Sequence, residues 1–386
     1  IADCLFHILD FHKIIIANKK IYCRQVICLY KRYMKKFLCD IILIGDNMSE
    51  INLELEVCGG CNEKIGVKDL SSILKDLKPY KREEITVGFD GRDDACVYKI
   101  NDDISLVESL DFFSTMVKDP YDFGRIASTN AISDIYAMGA EPKFALNIVC
   151  FPEGENLEIL KEILRGAGDV CGEAEVSITG GHSIHDRKIK FGQCVTGLVK
   201  NDEIWTNSGA EVGDYFILTK PLGVSLVMSA YSVGMTSEEN YIEAIKNMTT
   251  LNKYGAEILK KYKVSSVTDV TGFGLLGHLD ECTEDSVEIF ADQINFLPGS
   301  YEAASEFLFT AGGQRNRRAL EDKVEFTFDD FALEEVLFDP QTSGGLLFAA
   351  KKDEADKILG EMKESGIPAF YVGRVIPREN KKFKVI

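Results

Sequence analysis

The stretch "LEVCGGCNEKIG" (Leu55–Gly66) sets Cys58 and Cys61 three residues apart, with Lys64 three further on. Three chemistries suit that spacing: a dithiol redox pair, half of a zinc site, or one working thiol beside a cation. A structural zinc needs four ligands, and no second C-x-x-C or H-x-x-x-H accompanies the pair. A lysine three residues from Cys61 is near enough to lower the thiol's pKa and favour thiolate.

Carboxylates form a second group. "GRDDACVY" places Asp93 and Asp94 at the mouth of a strand, "SLDFF" supplies Asp111, and "VTDVTGFG" supplies Asp269. Asn130 and Asp134 are four apart in a helix-patterned stretch and so share one face. Aspartate is a poor mid-helix residue, and among apolar neighbours an unpaired carboxylate is expensive. A cap or a salt bridge would satisfy it, and so would a metal. Mg²⁺ takes hard carboxylate oxygens together with phosphate oxygens.

Two glycine-bearing stretches carry competing readings. "TGFGLLG" (Thr271–Gly277) spells G-x-G-x-x-G with Asp292 about twenty residues on, which fits a dinucleotide turn or a tight turn into a helix. "TGGHSIHD" (Thr179–Asp186) fits a loop whose amides and His182 touch a nucleotide, or a surface turn; His182 and His185 are a softer pair than Mg²⁺ prefers. No Walker A sequence is present, so a nucleotide site here is not a P-loop.

These residues need elements to place them. Apolar residues at 126, 127, 131, 132, 135 and 138 have a helical period over Asp122–Ala140. Strands are expected at Ile104–Phe113, Phe144–Phe151, Val176–Gly181 and Ile189–Val199, with a helix at Asn156–Ala174. After a polar, turn-rich break near Trp205–Gly213, a second unit opens with "GDYFILTKPLG". Helices near Val224–Val233 and Glu239–Lys261 follow, then "SGGLLFAA", a helix at Asp353–Glu364 and the strand Ala369–Ile376. The expected fold class is α+β, with a domain at 48–207 and another at 208–386.

A chain of 386 residues with 45% hydrophobic and 27% charged residues suits two soluble globular domains. The net charge of −18 argues against nucleic acid as a partner. It does not forbid a small phosphorylated ligand bound through local lysines, amides and a metal. Eleven cysteines without a secretory framework fit reduced thiols in a cytoplasmic protein. Residues 1–47 are basic, at about +4, and rich in Ile, Lys, Tyr and Cys. They contain no 18-residue apolar run, so no membrane span is expected. They are expected to be an extension outside the fold, with Met48 as the natural start.

Taken in order, "GGCNEKIG", "RDDACVY", "SLDFF", "DPYDFGRIASTNAISDIYAMGAEP", "TGGHSI", "FGQCVTGLV", "LTKPLG", "TDVTGFGLLGHL" and "FDPQTSGGLL" resemble the selenophosphate synthetase (selenide, water dikinase) family. The resemblance spans roughly residues 55–376. It implies the two-domain fold of the aminoimidazole ribonucleotide synthetase-like ATP-binding superfamily, with N-terminal domains of two subunits pairing into a shared β-barrel. It implies a homodimer that converts ATP, hydrogen selenide and water to selenophosphate, AMP and phosphate. Mg²⁺, a monovalent cation such as K⁺ and a selenide-delivery protein are the further expectations.

By motif, the resemblance makes Asp94, Asp134 and Asp269 the magnesium ligands. Nucleotide contacts fall on Lys64, Gly91, Arg92, Asp93, Asp111, Asp134, Gly181, His182 and Ser183, and the catalytic pair is Cys61 and Lys64. Some members carry a second cysteine directly before the lysine, where this chain has Glu63. Cys58 has no counterpart, and a Cys58–Cys61 disulfide stays open. Two other readings also stay open at this point: another ATP-using member of the superfamily, and a redox or zinc protein built on the two cysteines.

Overall fold

The computed structural model describes residues 54, 55, 57, 73, 80–88 and 93–386. Cys58, Cys61, Lys64, Gly91 and Arg92 lie outside the described residues, as does the segment 1–47. The first half builds a six-stranded sheet from β1 (Ile85–Val87), β2 (Cys96–Lys99), β3 (Ile104–Ser114), β4 (Glu141–Phe151), β5 (Ser177–His185) and β6 (Lys190–Lys200). Its spatial order is β1-β2-β3-β6-β4-β5, antiparallel except for the β4–β5 edge pair.

Two helices lie against one face of this sheet: α1 (Pro120–Ala137) and α2 (Leu157–Glu173). α1 starts where Asp119 caps it by accepting from the Asp122 amide, with Pro120 in the first turn, where its missing N–H costs nothing. The period read from the sequence is its core stripe, and Ile126, Ala127, Ala131, Ile132, Ile135 and Met138 are fully buried. Its other sides are buried too, because the second half packs against it.

That half holds α3 (Val224–Ser232), α4 (Glu238–Thr249), α5 (Lys253–Leu259) and α6 (Gly274–Cys282). Further along the chain come α7 (Ser300–Ser305), α8 (Ala311–Leu320), α9 (Phe331–Phe338) and α10 (Lys352–Glu364). Its sheet uses β7 (Asp214–Leu218), β8 (Ser266–Asp269), β9 (Ser286–Ile289), β10 (Val324–Phe326), β11 (Leu346–Lys351), β12 (Phe370–Ile376) and β13 (Phe383–Val385). The order is β10-β13-β9-β12-β7-β11-β8. β11 is antiparallel to both β7 and β8, so the residues leaving those two strands arrive together at its start. One apolar core joins Ile132 and Ile135 of α1 to Ile217, Val267, Leu346 and Phe348 of this sheet.

Two expectations change, and one open choice closes. The single helix read over Glu239–Lys261 is two, α4 and α5, broken at 250–252. The break frees Asn252, whose amide reaches Ser133 and the Gly344 carbonyl at 2.8 and 2.9 Å. The strand expected at 176–181 does not end in a loop at its glycines: "HSIH" continues it as β5, an edge strand exposed along its whole length. The glycines of "TGFGLLG" make the tight turn into α6 rather than an open cradle. Gly274 has φ +69°, a left-handed conformation that glycine adopts freely, and a Cβ there would meet the Phe338 and Asp339 carbonyls at 3.0 Å.

Among the described residues no helix is long and apolar enough to cross a membrane. Cys96, Cys150, Cys171, Cys194 and Cys282 are free thiols.

Candidate active site

β3 and α1 face each other through a polar pair of contacts inside an apolar layer. Ser109 and Asp111 are two apart on the covered side of β3, and Asn130 and Asp134 are four apart on α1. Ser109 donates to Asp134, and the Asn130 amide donates to Asp111. The expected one-face relation of Asn130 and Asp134 is therefore what places them over the strand. Asn130 is fully buried and also accepts the Ser343 amide at 2.8 Å, from the turn that precedes β11.

The second half brings Asp269 to the same place. It ends β8, is 1% exposed, and accepts the Ser133 hydroxyl at 2.5 Å. Its neighbour Thr268 donates at 2.9 Å to Asp94, which enters from the chain leading into β2. Asp94 is half-buried overall, but its Oδ2 is shut off from solvent and has no hydrogen-bond partner among the described residues. Burial raises the Asp94 pKa well above the usual carboxylate range, and the nearby Asp269 and Asp134 charges push it the same way. Asp93 accepts the Asn207 amide at 2.9 Å, and its partial burial also raises its pKa.

This arrangement suits a divalent cation bound together with phosphate. Among the described residues no three His, Cys, Asp or Glu side chains form a ready-made metal cage. Mg²⁺ does not require one, since it takes one or two carboxylates and completes its shell with phosphate oxygens and water. The solvent-free Asp94 Oδ2, with two more carboxylates in electrostatic range, is the feature a cation would satisfy.

The other sequence candidates among the described residues sit elsewhere. Gly181, His182 and Ser183 lie on exposed β5, and registers Asn147↔Gly181 and Asn147↔Gln193, then Gln193↔Asp111, put β5 three strands from Asp111. His185 is on the same edge, and Asp292 is in a short 3₁₀ turn at Ala291–Gln293.

Sequence reasoning did not single out Lys220, Ser133, Asn252 or Ser343. Lys220 is 4% exposed, and burial pushes its ammonium down to about 7 against the pull of Asp269. It donates at 2.8 Å to the carbonyl of Ser343, a non-glycine residue held at φ 51°. A lone lysine inside the apolar run "YFILTKPLG" was the available signal. Glu281, near enough to raise the Asp94 pKa slightly, is a further carboxylate at the margin.

The comparisons with known proteins agree with this architecture. Residues 92–199 match AIR synthase related protein, N-terminal domain, and residues 211–386 match the C-terminal domain of the same name. A relative from Agathobacter rectalis named "Selenide, water dikinase" is 48% identical over 326 residues, 83% of this chain and 95% of the relative. Relatives of the same name from Desulfitobacterium hafniense and Clostridioides difficile are 44% and 41% identical, covering 83% and 86% of this chain and 95% and 97% of their own. Among solved structures, a HypE–HypF complex aligns with TM-score 0.61 at 17% identity, covering 83% of this chain and 97% of that one. AaThiL complexed with AMPPCP and TMP aligns with TM-score 0.59 at 17% identity, covering 83% and 91%. At such identities these two establish the fold alone.

Proposed function

The chain belongs to the selenide, water dikinase family, and from that premise we propose that it makes selenophosphate from ATP, hydrogen selenide and water, releasing AMP and phosphate. The observation that carries the reading is identity of 41–48% across more than four-fifths of the chain to relatives of that name. The clustered Asp94, Asp134 and Asp269 support it, because phosphoryl transfer depends on positioning and on charge stabilisation.

In this proposal those three aspartates hold Mg²⁺, which when bound would neutralise charge on the phosphates. Asp111, oriented by Asn130, and Asp93, oriented by the Asn207 amide, contact the nucleotide. Both are held before ligand arrives, so their ordering is not left to the binding step. Lys64 presents a point charge to phosphate and Cys61 handles selenium near it; Gly91, Arg92, Gly181, His182 and Ser183 complete the nucleotide contacts. A monovalent cation such as K⁺, a selenide-delivery protein and a cytoplasmic setting belong to the same proposal, as does a domain division at 207/208.

Assembly is part of it. The face of the first sheet opposite α1 carries exposed Leu110, Phe112, Phe144, Leu146, Ile184 and Leu198, with Leu110 55% and Ile184 53% exposed. An apolar face of this extent on a sheet is a typical mark of an interface. The proposal closes it by pairing the sheets of two subunits into a barrel. β5 is an edge of that sheet, so closure would bring His182 and Ser183 against new neighbours.

The deciding experiment measures AMP and selenophosphate by ³¹P NMR with and without selenide. AMP formed only with selenide, with a matching selenophosphate signal, is the expected result. ATP cleavage indifferent to selenide would sink the reading in favour of another ATP-using enzyme of this fold.

A further inference from the structure

Lys220 follows the end of β7 on one flank of β11, while Asp269 ends β8 on the other. The approach depends on glycine. A Cβ on Gly345 would stand 2.4 Å from the Lys220 amide nitrogen, and one on Gly344 would stand 2.0 Å from the Val270 carbonyl oxygen. The turn is thereby pressed between the two strand ends. An ammonium has three donors, yet among the described residues Lys220 makes one hydrogen bond, to the Ser343 carbonyl at 2.8 Å. No carboxylate forms a direct ion pair with it there. A buried cation so poorly compensated costs stability, and a neutral side chain of similar length would fill the space at less cost.

What the lysine provides is therefore sought in its neighbours. The residue it grips, Ser343, has a left-handed backbone that an L side chain adopts only under strain. Ser343 is held from both sides, by Lys220 at its carbonyl and by Asn130 at its amide. Asn130 in turn donates to Asp111. Asp269 feels the same ammonium electrostatically. One side chain thus touches the arrangement of both halves of the site.

We infer that Lys220 is a positioning residue for the metal–nucleotide site, an internal counter-charge across β11 from Asp269 that also clamps Ser343 against Asn130. The inference rests on the functional reading above. Removing the charge makes the carboxylate group more negative, so it binds a divalent cation more tightly while the nucleotide side loosens. These opposed effects separate positioning from a merely structural role.

The test compares Lys220→Met with the unaltered full chain in three readouts: melting temperature without ligand, calorimetric titration with Mn²⁺ alone, and selenide-dependent AMP formation at varied ATP. Expected for Lys220→Met are an unchanged or raised melting temperature, Mn²⁺ affinity tightened roughly tenfold, and kcat/KM for ATP lowered about tenfold or more. Unaltered Mn²⁺ affinity together with unaltered kinetics overturns the inference. So does a fall in melting temperature with loss of turnover and no change in Mn²⁺ affinity. Should the Met variant fail to fold, Lys220→Arg and Lys220→Gln decide it. The arginine keeps the charge and should hold Mn²⁺ affinity near the original, the glutamine should tighten it, and equal affinities reject the counter-charge. If the unaltered protein shows no selenide-dependent AMP, the functional reading fails, and the Mn²⁺ and melting arms still decide the lysine.

Discussion

The Ser133 hydroxyl donates to the Asp269 carboxylate at 2.5 Å, joining a helix of the first half to a strand end of the second across 136 positions of chain. Ser133 itself accepts the Asn252 amide, so the carboxylate is aimed by a relay of two buried side chains. Ser133→Ala removes the donor and leaves a buried carboxylate less satisfied, a loss of about 1–3 kcal/mol of stability. Urea unfolding should show a lower midpoint, and turnover should fall at sub-saturating Mg²⁺ first. An unchanged midpoint would mean that the contact contributes nothing to the fold.

Asp94, Asp134 and Asp269 carry the proposed metal. Each changed to Asn should lower Mg²⁺-dependent ATP use by ~10²-fold or more. Asp94→Asn should also raise the melting temperature without metal, because it removes a charge held unfavourably by burial and by two like charges. Near-normal turnover in Asp134→Asn would remove that residue from the metal set.

The uncovered sheet face leads to an assembly test. Leu110→Asp or Phe112→Asp places a charge on an exposed apolar surface, which leaves the subunit's own core untouched. Sedimentation should find the original chain dimeric at micromolar concentration and the variants monomeric and less active. A monomeric original chain would refute the shared barrel.

The cysteine motif is tested through activity. Cys61→Ser and Lys64→Ala should each abolish or nearly abolish selenide-dependent ATP cleavage, while Cys58→Ser retains most of it. Equal loss in both cysteine variants, with a Cys58–Cys61 disulfide found by mass spectrometry during turnover, would return the motif to dithiol chemistry.

Much of this was legible because it follows local periods. The core stripe of α1 and the shared face of Asn130 and Asp134 follow from 3.6 residues per turn, and the structure keeps both. The helix break at 250–252 was not legible, since its cause is tertiary: Asn252 must leave the helix to meet Ser133 and Gly344. The continuation of β5 through "HSIH" was hidden for a related reason. Two glycines and two histidines carry no alternating pattern, and β5 is held by its ladder to β4 rather than by burial of its own side chains. Lys220 was overlooked because one lysine in an apolar run reads as a strand end. Only the meeting of two strand ends beside β11 shows what surrounds it.

The position of β11 has a consequence for how the protein is made. β11 lies between β7 and β8, both of which precede it in the chain. A ribosome will have delivered every aspartate assigned to the metal well before it delivers the strand that brings β7 and β8 into one sheet. During that interval the nascent chain carries the chemical groups of an enzyme without their alignment, and β7 and β8 each present an open edge on the flank β11 will fill. The two strand ends of the site are joined only with the arrival of six residues, Leu346–Lys351.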